Sequence, residues 1–502
     1  MGLYDYTIYS IIKRNARVHG NKVAFILGEE KVTHRQYLAT VDRLAAGLSS
    51  SGIQKGDRIA VLAHNCLEYF YLYGAAAKIG SIVVPANWRL QPEELEFVIS
   101  DALPKALFVS QEFQSLAESL TPKLKTVKQL YIIGLSDGRF KPFSELLKTD
   151  GSFQEPSVHS DDAFVILHTA AVEGRPRGAV LTHGGLITFN LQAMHILNIT
   201  ESDCHLCMVP LFHLTGLGVS LNILQAGGTN IILPSFDPEL ALNHIENDRV
   251  SIFFEFPPML QALLDKNKKL KKDLTSLRVI GGLDQPELIK EIEKISGATF
   301  WTAFGQSETS GLVTYCRYFE RPGSAGKPVY MAEVEIMDQY GNILQSGKSG
   351  EIVVRGPMVF KGYWNLDKET EYTFRHGWHH TGDKGHFDED GYLYYEGRMP
   401  EKELIKPGGE NVYPAEVEKV ILEHPVIEEV SVIGVPEPRW GEAIKAVCVL
   451  KTGQALPETE LIEFVASKIA RFKKPKYVVY VSDLPKLKDG AIDREGVKAR
   501  YG

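Results

Sequence analysis

The chain has 502 residues, of which 44% are hydrophobic and 24% charged, and its formal net charge is -8. These proportions exclude a disordered, collagen-like or coiled-coil protein, and the length predicts a large domain with at least one smaller domain. The negative charge argues against a nucleic-acid partner, which would require a basic face to neutralise phosphates. Any anionic ligand must therefore be bound by local cations or backbone amides.

Five scattered cysteines are too few for a disulfide framework and suit a reducing compartment, which predicts a cytoplasmic protein. Cys204 and Cys207 form a CxxC, but this lone pair lacks the further ligands of a structural zinc site, so we expect no metal there. The N-terminus contains Asp5 and no long apolar core, and it therefore does not resemble a signal peptide.

In the first half of the chain, helical and strand-like segments alternate. Thr33 and Gln36 form a capping box ahead of apolar residues at helical spacing, and Gly52 ends the predicted helix. Strands are predicted at residues 58–63, 81–85, 106–110 and 130–133, with a helix at 91–100. This alternation predicts an α/β fold built on a mostly parallel sheet.

From Cys204 to Phe236 the sequence contains no Asp, Glu, Lys or Arg. Pro210 and the pair Gly227-Gly228 interrupt this stretch, which predicts a buried strand, helix and strand rather than a membrane span. Such an uncharged passage is suited to line an apolar substrate pocket.

The second half changes character twice. From about residue 332, short strands and tight turns predict a small β-rich subdomain, and beyond residue 398 the pattern predicts a compact α+β domain of about 100 residues. We therefore expect an N-terminal domain at 1–397, with its β-rich subdomain at about 332–397, a hinge at 398–403 and a C-terminal domain at 404–502.

Residues 165–185 run from an apolar strand into a glycine-punctuated loop that carries Arg175 and Arg177. Backbone amides and cations in this order are typical of a phosphate-binding loop. The loop does not match the GxxxxGK[ST] pattern, and taken alone it is also compatible with a surface hairpin.

Four further stretches follow in order: FGQSETSG at 304–311, HHTGD at 379–383, EGRMPEKELIKPGGENVYPAEVE from Glu396, and PEPRWGE at 436–442. Together with the loop they resemble the AMP-forming acyl-CoA synthetases of the adenylate-forming superfamily, which includes luciferases and peptide-synthetase adenylation domains. The resemblance covers essentially the whole chain. It implies mostly parallel sheets with helices in the large domain, a mobile C-terminal domain, and use of ATP, AMP, coenzyme A and Mg²⁺.

The resemblance also implies roles for matching residues. Glu308 matches the metal-coordinating acid and Ser307 the hydroxyl beside the α-phosphate, while Asp383 and Arg398 match the ribose contacts. A lone acid in such loops is usually solvated, but the surrounding motifs favour function here. The set implied for the nucleotide is Thr169, Gly174, Arg177, Gly282, Ala303, Phe304 (stacked on adenine), Gln306, Ser307, Asp383 and Arg398.

For the acyl group, His213 matches an active-site position near the carboxylate, although a single His in an apolar run is often only a core residue. The expected acyl pocket consists of His213, Gly216, Phe254, Gly281 and Leu283. These apolar walls favour a medium-chain, alicyclic or aromatic carboxylate as the small-molecule substrate.

For the thioester step, the resemblance implies that Gly408, Gly409 and Glu410 line the channel of the incoming thiol after the C-terminal domain rotates. Trp440 and Lys473 match positions of CoA-using members, the lysine at a CoA phosphate. The hinge pair is Lys402 and Glu403, in a stretch about two residues longer than usual.

Two positions depart from the family pattern. Ala170 to Gly174 replaces a Ser/Thr-rich run and includes Glu173, which predicts weaker binding of ATP or pyrophosphate. Ala491 stands where the family has its catalytic lysine, and loss of such a donor typically costs on the order of 10²- to 10³-fold in rate. The intact flanks favour an engineered change over natural loss.

The leading function is therefore an acyl-CoA ligase whose adenylation step is impaired while thioester formation is retained. The alternative from another class is a non-catalytic protein that binds a nucleotide or acyl-CoA. Amino-acid activation is disfavoured because residues 209–216 offer no acid for a substrate ammonium. A luciferase-like oxidation would require a specialised pocket, and the shared scaffold alone does not indicate one.

Overall fold

The computed structural model describes residues 2–149, 153–169, 176–399, 404–487 and 490–502. Its α-helices, numbered in chain order, are α1 (Ile8–Val18), α2 (His34–Ser50), α3 (Leu67–Ile79), α4 (Pro92–Asp101), α5 (Gln114–Leu120), α6 (His183–Ile196), α7 (Leu214–Ala226), α8 (Pro238–Asn247), α9 (Met259–Leu270), α10 (Pro286–Ser296), α11 (Asp367–Thr373), α12 (Pro414–Leu422), α13 (Glu458–Lys468) and α14 (Arg494–Tyr501).

The strands of the first half are β1 (Val23–Leu27), β2 (Glu30–Thr33), β3 (Arg58–Leu62), β4 (Ile82–Pro85), β5 (Ala106–Ser110), β6 (Gln129–Ile133), β7 (Lys141–Pro142), β8 (Ala163–Thr169), β9 (Arg177–Thr182), β10 (Cys204–Cys207) and β11 (Thr229–Ile232). Those of the second half are β12 (Ile252–Glu255), β13 (Val279–Gly282), β14 (Thr299–Gln306), β15 (Gly311–Arg317), β16 (Lys327–Pro328), β17 (Glu333–Met337), β18 (Gly350–Arg355), β19 (His379–Phe387), β20 (Leu393–Arg398), β21 (Ile427–Glu437), β22 (Gly441–Leu450) and β23 (Tyr477–Val481).

Two large sheets form most of the chain before residue 330. One has nine strands in the order β16-β15-β14-β13-β12-β10-β11-β1-β2, and the other has seven in the order β7-β6-β5-β3-β4-β8-β9. Their inner neighbours are parallel, and antiparallel pairs occur toward the edges. The predicted α/β class with mostly parallel sheets is confirmed.

Local sequence signals account for the element ends. Thr33 accepts a hydrogen bond from the Gln36 amide, and the Gln36 side chain accepts one from the Thr33 amide, so α2 begins at the predicted capping box. The helix ends at Ser50, and Gly52 follows with a positive φ of 93°. The uncharged passage folds as β10, α7 and β11, as predicted. Among the described residues, none of the helices is long and apolar enough to span a membrane.

The remaining strands form two small sheets. β17, β18, β19 and β20 make an antiparallel sheet, which confirms the β-rich texture expected from residue 332. β21, β22 and β23 make the second, and it packs with α12 and α13 around its own apolar core. We refer to residues 404–502 as the C-terminal region and to the described residues before 400 as the N-terminal region.

Candidate active site

The motif at the end of β14 is tied to the motif on β19 by one side chain. Gln306 donates through Nε2 to the Thr381 carbonyl at 2.9 Å and also to the Asp383 carboxylate. Its Oε1 lies 3.2 Å from His379 Nε2. Two motifs that are 70 residues apart in sequence therefore form one polar wall.

Asp383 and Arg398 face each other across β19 and β20, where their backbones are paired. Arg398 Nε lies 2.9 Å from Asp383 Oδ1, yet neither atom makes a hydrogen bond of normal geometry, and both are buried. Burial would lower the pKa of Arg398, but the Asp383 charge outweighs it and raises that pKa. This pair retains the unused hydrogen-bonding capacity that ribose hydroxyls would satisfy.

Four other expected nucleotide residues lie on β13, on β14 or directly after β14. Phe304 is buried on β14, and its ring centroid lies 6.3 Å from that of Tyr395. Gly282 ends β13 and Ala303 lies on the neighbouring β14. Ser307 opens the short turn after β14, next to Gln306.

The predicted phosphate loop connects β8 and β9. Its two ends are held together because Thr169 pairs with Arg177 in the antiparallel register. Residues 170–175, and with them Gly174, lie outside the described residues. The Arg177 guanidinium lies 5.4 Å from the centroid of the Tyr363 ring.

Tyr363 also connects this cation to the expected metal ligand. Its hydroxyl donates to Glu308 Oε1 at 3.0 Å, and the Phe360 amide donates to the Glu308 carbonyl at 2.8 Å. Burial, followed by the Glu308 charge, raises the pKa of Tyr363, so the phenol keeps its proton and acts as a donor. The sequence analysis missed Tyr363, because nothing in its local pattern relates it to Glu308.

Glu308 supplies a single carboxylate to any cation. Within the described part of the chain no group of three or more His, Cys, Asp or Glu could hold a metal ion. Mg²⁺ usually keeps several waters and binds one or two carboxylates together with substrate phosphates. One buried glutamate therefore fits a magnesium ion held largely by nucleotide phosphates.

The expected acyl residues surround the start of α7 and the ends of β12 and β13. Gly216 lies in the first turn of α7, where a Cβ would come within 2.2 Å of the Pro210 carbonyl oxygen. Phe254 lies across Gly281, where a Cβ would be 2.3 Å from the phenyl Cε1. Leu283 is exposed just beyond β13. The structure therefore brings Phe254 and Gly281 into direct contact.

The loop of residues 407–410 reaches from the C-terminal region into this cleft. Gly408 and Gly409 have φ values of 61° and 84°, a region that favours glycine. A Cβ on Gly408 would lie 2.5 Å from Trp440 Cε3, and one on Gly409 would lie 3.1 Å from the Phe256 ring. Glycine is therefore required for the loop to pass between these two aromatic side chains.

Glu410 completes the contact with the N-terminal region. Its Oε1 accepts a hydrogen bond from Arg89 Nη1 at 2.5 Å and lies 3.3 Å from His213 Nε2. Burial alone would raise the pKa of Glu410, but His213 and Arg89 outweigh it and lower the pKa to about 2. Arg89 was missed by the sequence analysis; it follows β4, and its guanidinium lies 4.8 Å from the Trp88 ring centroid.

Lys406 is a further cation that the sequence analysis did not single out. Its side chain is exposed to solvent, although protein surrounds it at longer range. Burial, followed by the Arg398 charge, lowers its pKa, while Asp383 and Glu442 act in the opposite direction. The Arg398 and Asp383 charges both act on Lys406, which belongs to the same loop as Glu410.

The lysine matched to a CoA phosphate is paired with two carboxylates. Lys473 Nζ is buried between Glu94 Oε1 at 2.6 Å and Glu416 Oε2 at 2.7 Å, so its ammonium is already paired in this arrangement instead of being open to a CoA phosphate. Lys402 and Glu403, the expected hinge pair, lie outside the described residues.

Ala491 lies in a hairpin of the C-terminal region. Its carbonyl accepts a hydrogen bond from the Leu487 amide at 2.8 Å, beside a bridge between Lys486 and Ile492. Lys486 Nζ donates to Glu429 at 2.5 Å. Lys486 is therefore engaged within its own region rather than at the nucleotide residues.

Comparisons with known proteins agree with this geometry. The model of the AMP-binding enzyme family matches residues 12–364, and that of the AMP-binding enzyme C-terminal domain matches residues 416–491. A feruloyl-CoA synthase of Amycolatopsis is 34% identical over 497 residues, which cover 97% of this chain and 98% of that protein. An indoleacetate–CoA ligase of Aromatoleum aromaticum is 32% identical over 496 residues, 97% of this chain and 96% of that protein.

Solved structures of o-succinylbenzoate CoA synthetase from Bacillus subtilis, 28% identical, extend the comparison. A double mutant bound with a product analogue has a TM-score of 0.86, with 99% of both chains covered. The same enzyme in complex with its acyl-adenylate intermediate has a TM-score of 0.72, again with 99% of both chains covered. The product-analogue complex therefore has the higher TM-score of the two.

The two family models, the whole-length relatives and the motifs gathered in the cleft lead to one conclusion. The chain belongs to the AMP-binding enzyme family and is an AMP-forming acyl-CoA ligase, an enzyme that uses ATP and coenzyme A.

Proposed function

We propose that this ligase acts on an aromatic carboxylate and that, with Ala491, it completes thioester formation far better than adenylate formation. The names of the relatives support the substrate class, since they act on ferulate and indoleacetate. The Phe254 ring across Gly281 and the uncharged α7 offer a flat, apolar surface suited to an aromatic group.

The observation that carries the proposal is the position of the loop that bears Glu410. This loop lies in the cleft of the N-terminal region, with Glu410 between Arg89 and His213. We infer that residues 404–502 rotate as a domain about a hinge at 398–403, relative to a domain at 1–397. The described arrangement then corresponds to the thioester-forming stage.

In that stage the thiol sulfur forms a bond to the acyl carbonyl carbon, and the bond from that carbon to the phosphate oxygen breaks. AMP leaves with the electron pair, and the thiol proton passes to solvent. Asp383 and Arg398 bind the ribose, and Lys406 stabilises negative charge on the departing AMP. Glu410 stays ionised because its pKa is about 2, so it holds Arg89 and His213 in place rather than donating a proton.

In the adenylation stage Glu308 is the residue that would hold Mg²⁺, with Tyr363 orienting its free oxygen. The metal would neutralise charge on the triphosphate. The missing lysine at position 491 removes the cation expected to bridge the carboxylate and α-phosphate. We attribute Ala491 to an engineered change, and sequencing of the natural gene tests this by showing a lysine codon or an alanine codon.

The function is tested by separating the two half-reactions. Chemically prepared feruloyl-adenylate and coenzyme A should give the thioester at a rate typical of enzymes, about 1–1000 s⁻¹, whereas ferulate and ATP should give adenylate several hundredfold more slowly. Octanoyl-adenylate serves as the apolar, non-aromatic comparison. Tight binding of the adenylate without any thioester would instead support a non-catalytic binding protein.

A further inference from the structure

An ion cluster joins the two regions at a distance from the reacting groups. It consists of Glu94, Lys473 and Glu416, whose side chains are 14%, 7% and 11% exposed. Lys473 Nζ lies 2.6 Å from Glu94 Oε1 and 2.7 Å from Glu416 Oε2. Burial would lower the pKa of Lys473, but Glu416 and Glu94 outweigh it and raise that pKa, so the ammonium stays charged.

The members of this cluster come from different regions of the chain. Glu94 is in the first turn of α4, whereas Lys473 and Glu416 both belong to the C-terminal region. Glu94 Oε2 also accepts a hydrogen bond from the Ala470 amide at 2.9 Å. A rotation of the C-terminal region would carry Lys473 and Glu416 together, and within the cluster only the contacts of Lys473 and Ala470 with Glu94 would break.

The contacts to Glu94 therefore stabilise the described arrangement and not the rotated one. After a rotation Lys473 keeps Glu416, so the buried ammonium retains a counter-charge, while Glu94 becomes a solvated carboxylate at the surface. Charge-assisted bonds of this kind are stronger than neutral ones, and here both are made in the described arrangement alone. The cluster therefore stabilises the described arrangement more than the rotated one.

Residues 89–94 also contact the loop that carries Glu410. Arg89, five residues before Glu94, donates to Glu410. Gln91, between them, donates through its side chain to the Ala466 carbonyl at 3.3 Å. Residues 89–94 thus hold the C-terminal region at several points, and Glu94 makes the most deeply buried of these contacts.

We propose that Glu94 is a positioning residue for the thioester-forming step. By pairing with Lys473 and the Ala470 amide, it holds the C-terminal region where Glu410 and Lys406 reach the cleft. This role rests on the proposed thioester stage. It also assigns Lys473 to domain positioning during that stage, rather than to a contact with a CoA phosphate.

The test compares Glu94→Gln with Glu93→Gln, a matched control on the same helical turn whose side chain is exposed. Glutamine still accepts the hydrogen bond of a capping box, so Glu94→Gln keeps the start of α4 intact and removes the charge. With feruloyl-adenylate supplied, Glu94→Gln should slow thioester formation about 5- to 20-fold, while Glu93→Gln should match the parent.

The adenylation half-reaction, measured after Ala491→Lys is introduced, supplies the readout that a general structural defect would not reproduce. Glu94→Gln should leave adenylation unchanged or faster, because the competing arrangement is weakened. Equal loss in both half-reactions would overturn the proposal. Failure of the parent chain to form thioester would instead refute the proposed function, so the two failures are distinguishable.

Lys473→Met removes the same contact from the other side and does not depend on how Glu94→Gln folds. A positioning role predicts the same fold loss with pantetheine, which lacks the nucleotide, as with coenzyme A. A loss seen with coenzyme A and absent with pantetheine would show that Lys473 binds a CoA phosphate, and the positioning role would be wrong.

Discussion

Two loops of the C-terminal region differ in where their contacts lie. Residues 405–410 reach the N-terminal cleft, where Glu410 pairs with Arg89 and His213. Near position 491, Lys486 pairs with Glu429 and bridges to Ile492, and the Leu487 amide donates to the Ala491 carbonyl. In the described arrangement, therefore, the loop that carries Glu410 contacts the N-terminal cleft, whereas Lys486 pairs within the C-terminal region.

Under the proposed function, this difference lets a single small domain serve two reactions by presenting one surface and then the other. A defect on one surface then need not affect the reaction served by the other. Under the proposed function Ala491 is such a defect, since it leaves position 491 without the expected cation and does not alter the loop with Lys406 and Glu410. The predictions below test this independence, beginning with the largest effect.

Ala491→Lys should raise the rate of adenylate formation from ferulate and ATP by on the order of 10²- to 10³-fold, because the cation that bridges carboxylate and α-phosphate is restored. The rate of thioester formation from supplied feruloyl-adenylate should change less than twofold. Pyrophosphate release measures the first step and thioester absorbance the second.

The matched control for this prediction is Lys486→Ala, which removes the nearby lysine that pairs with Glu429. It should alter neither half-reaction. If Ala491→Lys greatly raised the rates of both half-reactions, the two surfaces would be coupled. The two loops would then not act independently.

Lys406→Gln tests the loop on the other side of the comparison. Removing its charge from the Asp383–Arg398 pair should slow thioester formation roughly 10- to 100-fold, the range for hydrogen bonds to charged groups. The lowered pKa of Lys406 means that its charge is present below that pKa and is lost as pH rises through it. The parent rate should therefore fall at alkaline pH.

Lys406→Arg is the control for that pH dependence. Its guanidinium keeps its charge, so the alkaline fall in the thioester rate should move to higher pH. The pH profile of the thioester half-reaction measures both variants. If the thioester rate of Lys406→Arg falls at the same pH as that of the parent, a group other than Lys406 causes the fall.

Much of the fold follows from local sequence signals. β5 has the predicted bounds because it is a short apolar run, and the capping box sets the start of α2. The motifs that carried the family resemblance lie close together, because Gln306 joins Asp383 and β20 brings in Arg398. The catalytic roles of these residues stay predictions.

The contacts between regions could not be obtained in this way. Arg89 and Glu410 are 321 positions apart, and Glu94 and Lys473 are 379 apart. Each is an ordinary surface-type residue in its own segment, so neither periodicity nor composition relates it to its partner. A motif match predicted that Lys473 binds a CoA phosphate. Its actual partner Glu94 depends on how the two regions meet, which the motif does not describe.

Glu410→Gln should have a smaller effect than Lys406→Gln. It removes the negative charge between Arg89 and His213, whose side chains are each 37% exposed and can be solvated instead. We expect thioester formation to slow about 3- to 10-fold and adenylation, in the Ala491→Lys background, to be unaffected. A loss confined to adenylation would contradict the placement of this loop in the thioester stage.

The smallest effect is expected at the phosphate loop. In the Ala491→Lys background, Ala170→Ser together with Glu173→Thr restores two hydroxyls and removes one negative charge. Backbone amides already contribute to such loops, so the KM for ATP should fall only about 2- to 5-fold, with kcat nearly constant. Initial rates of pyrophosphate release across ATP concentrations measure this change. Because these residues serve the first half-reaction, the rate of thioester formation from supplied adenylate should not change. A change in that rate would mean that the loop also positions the adenylate for the thiol.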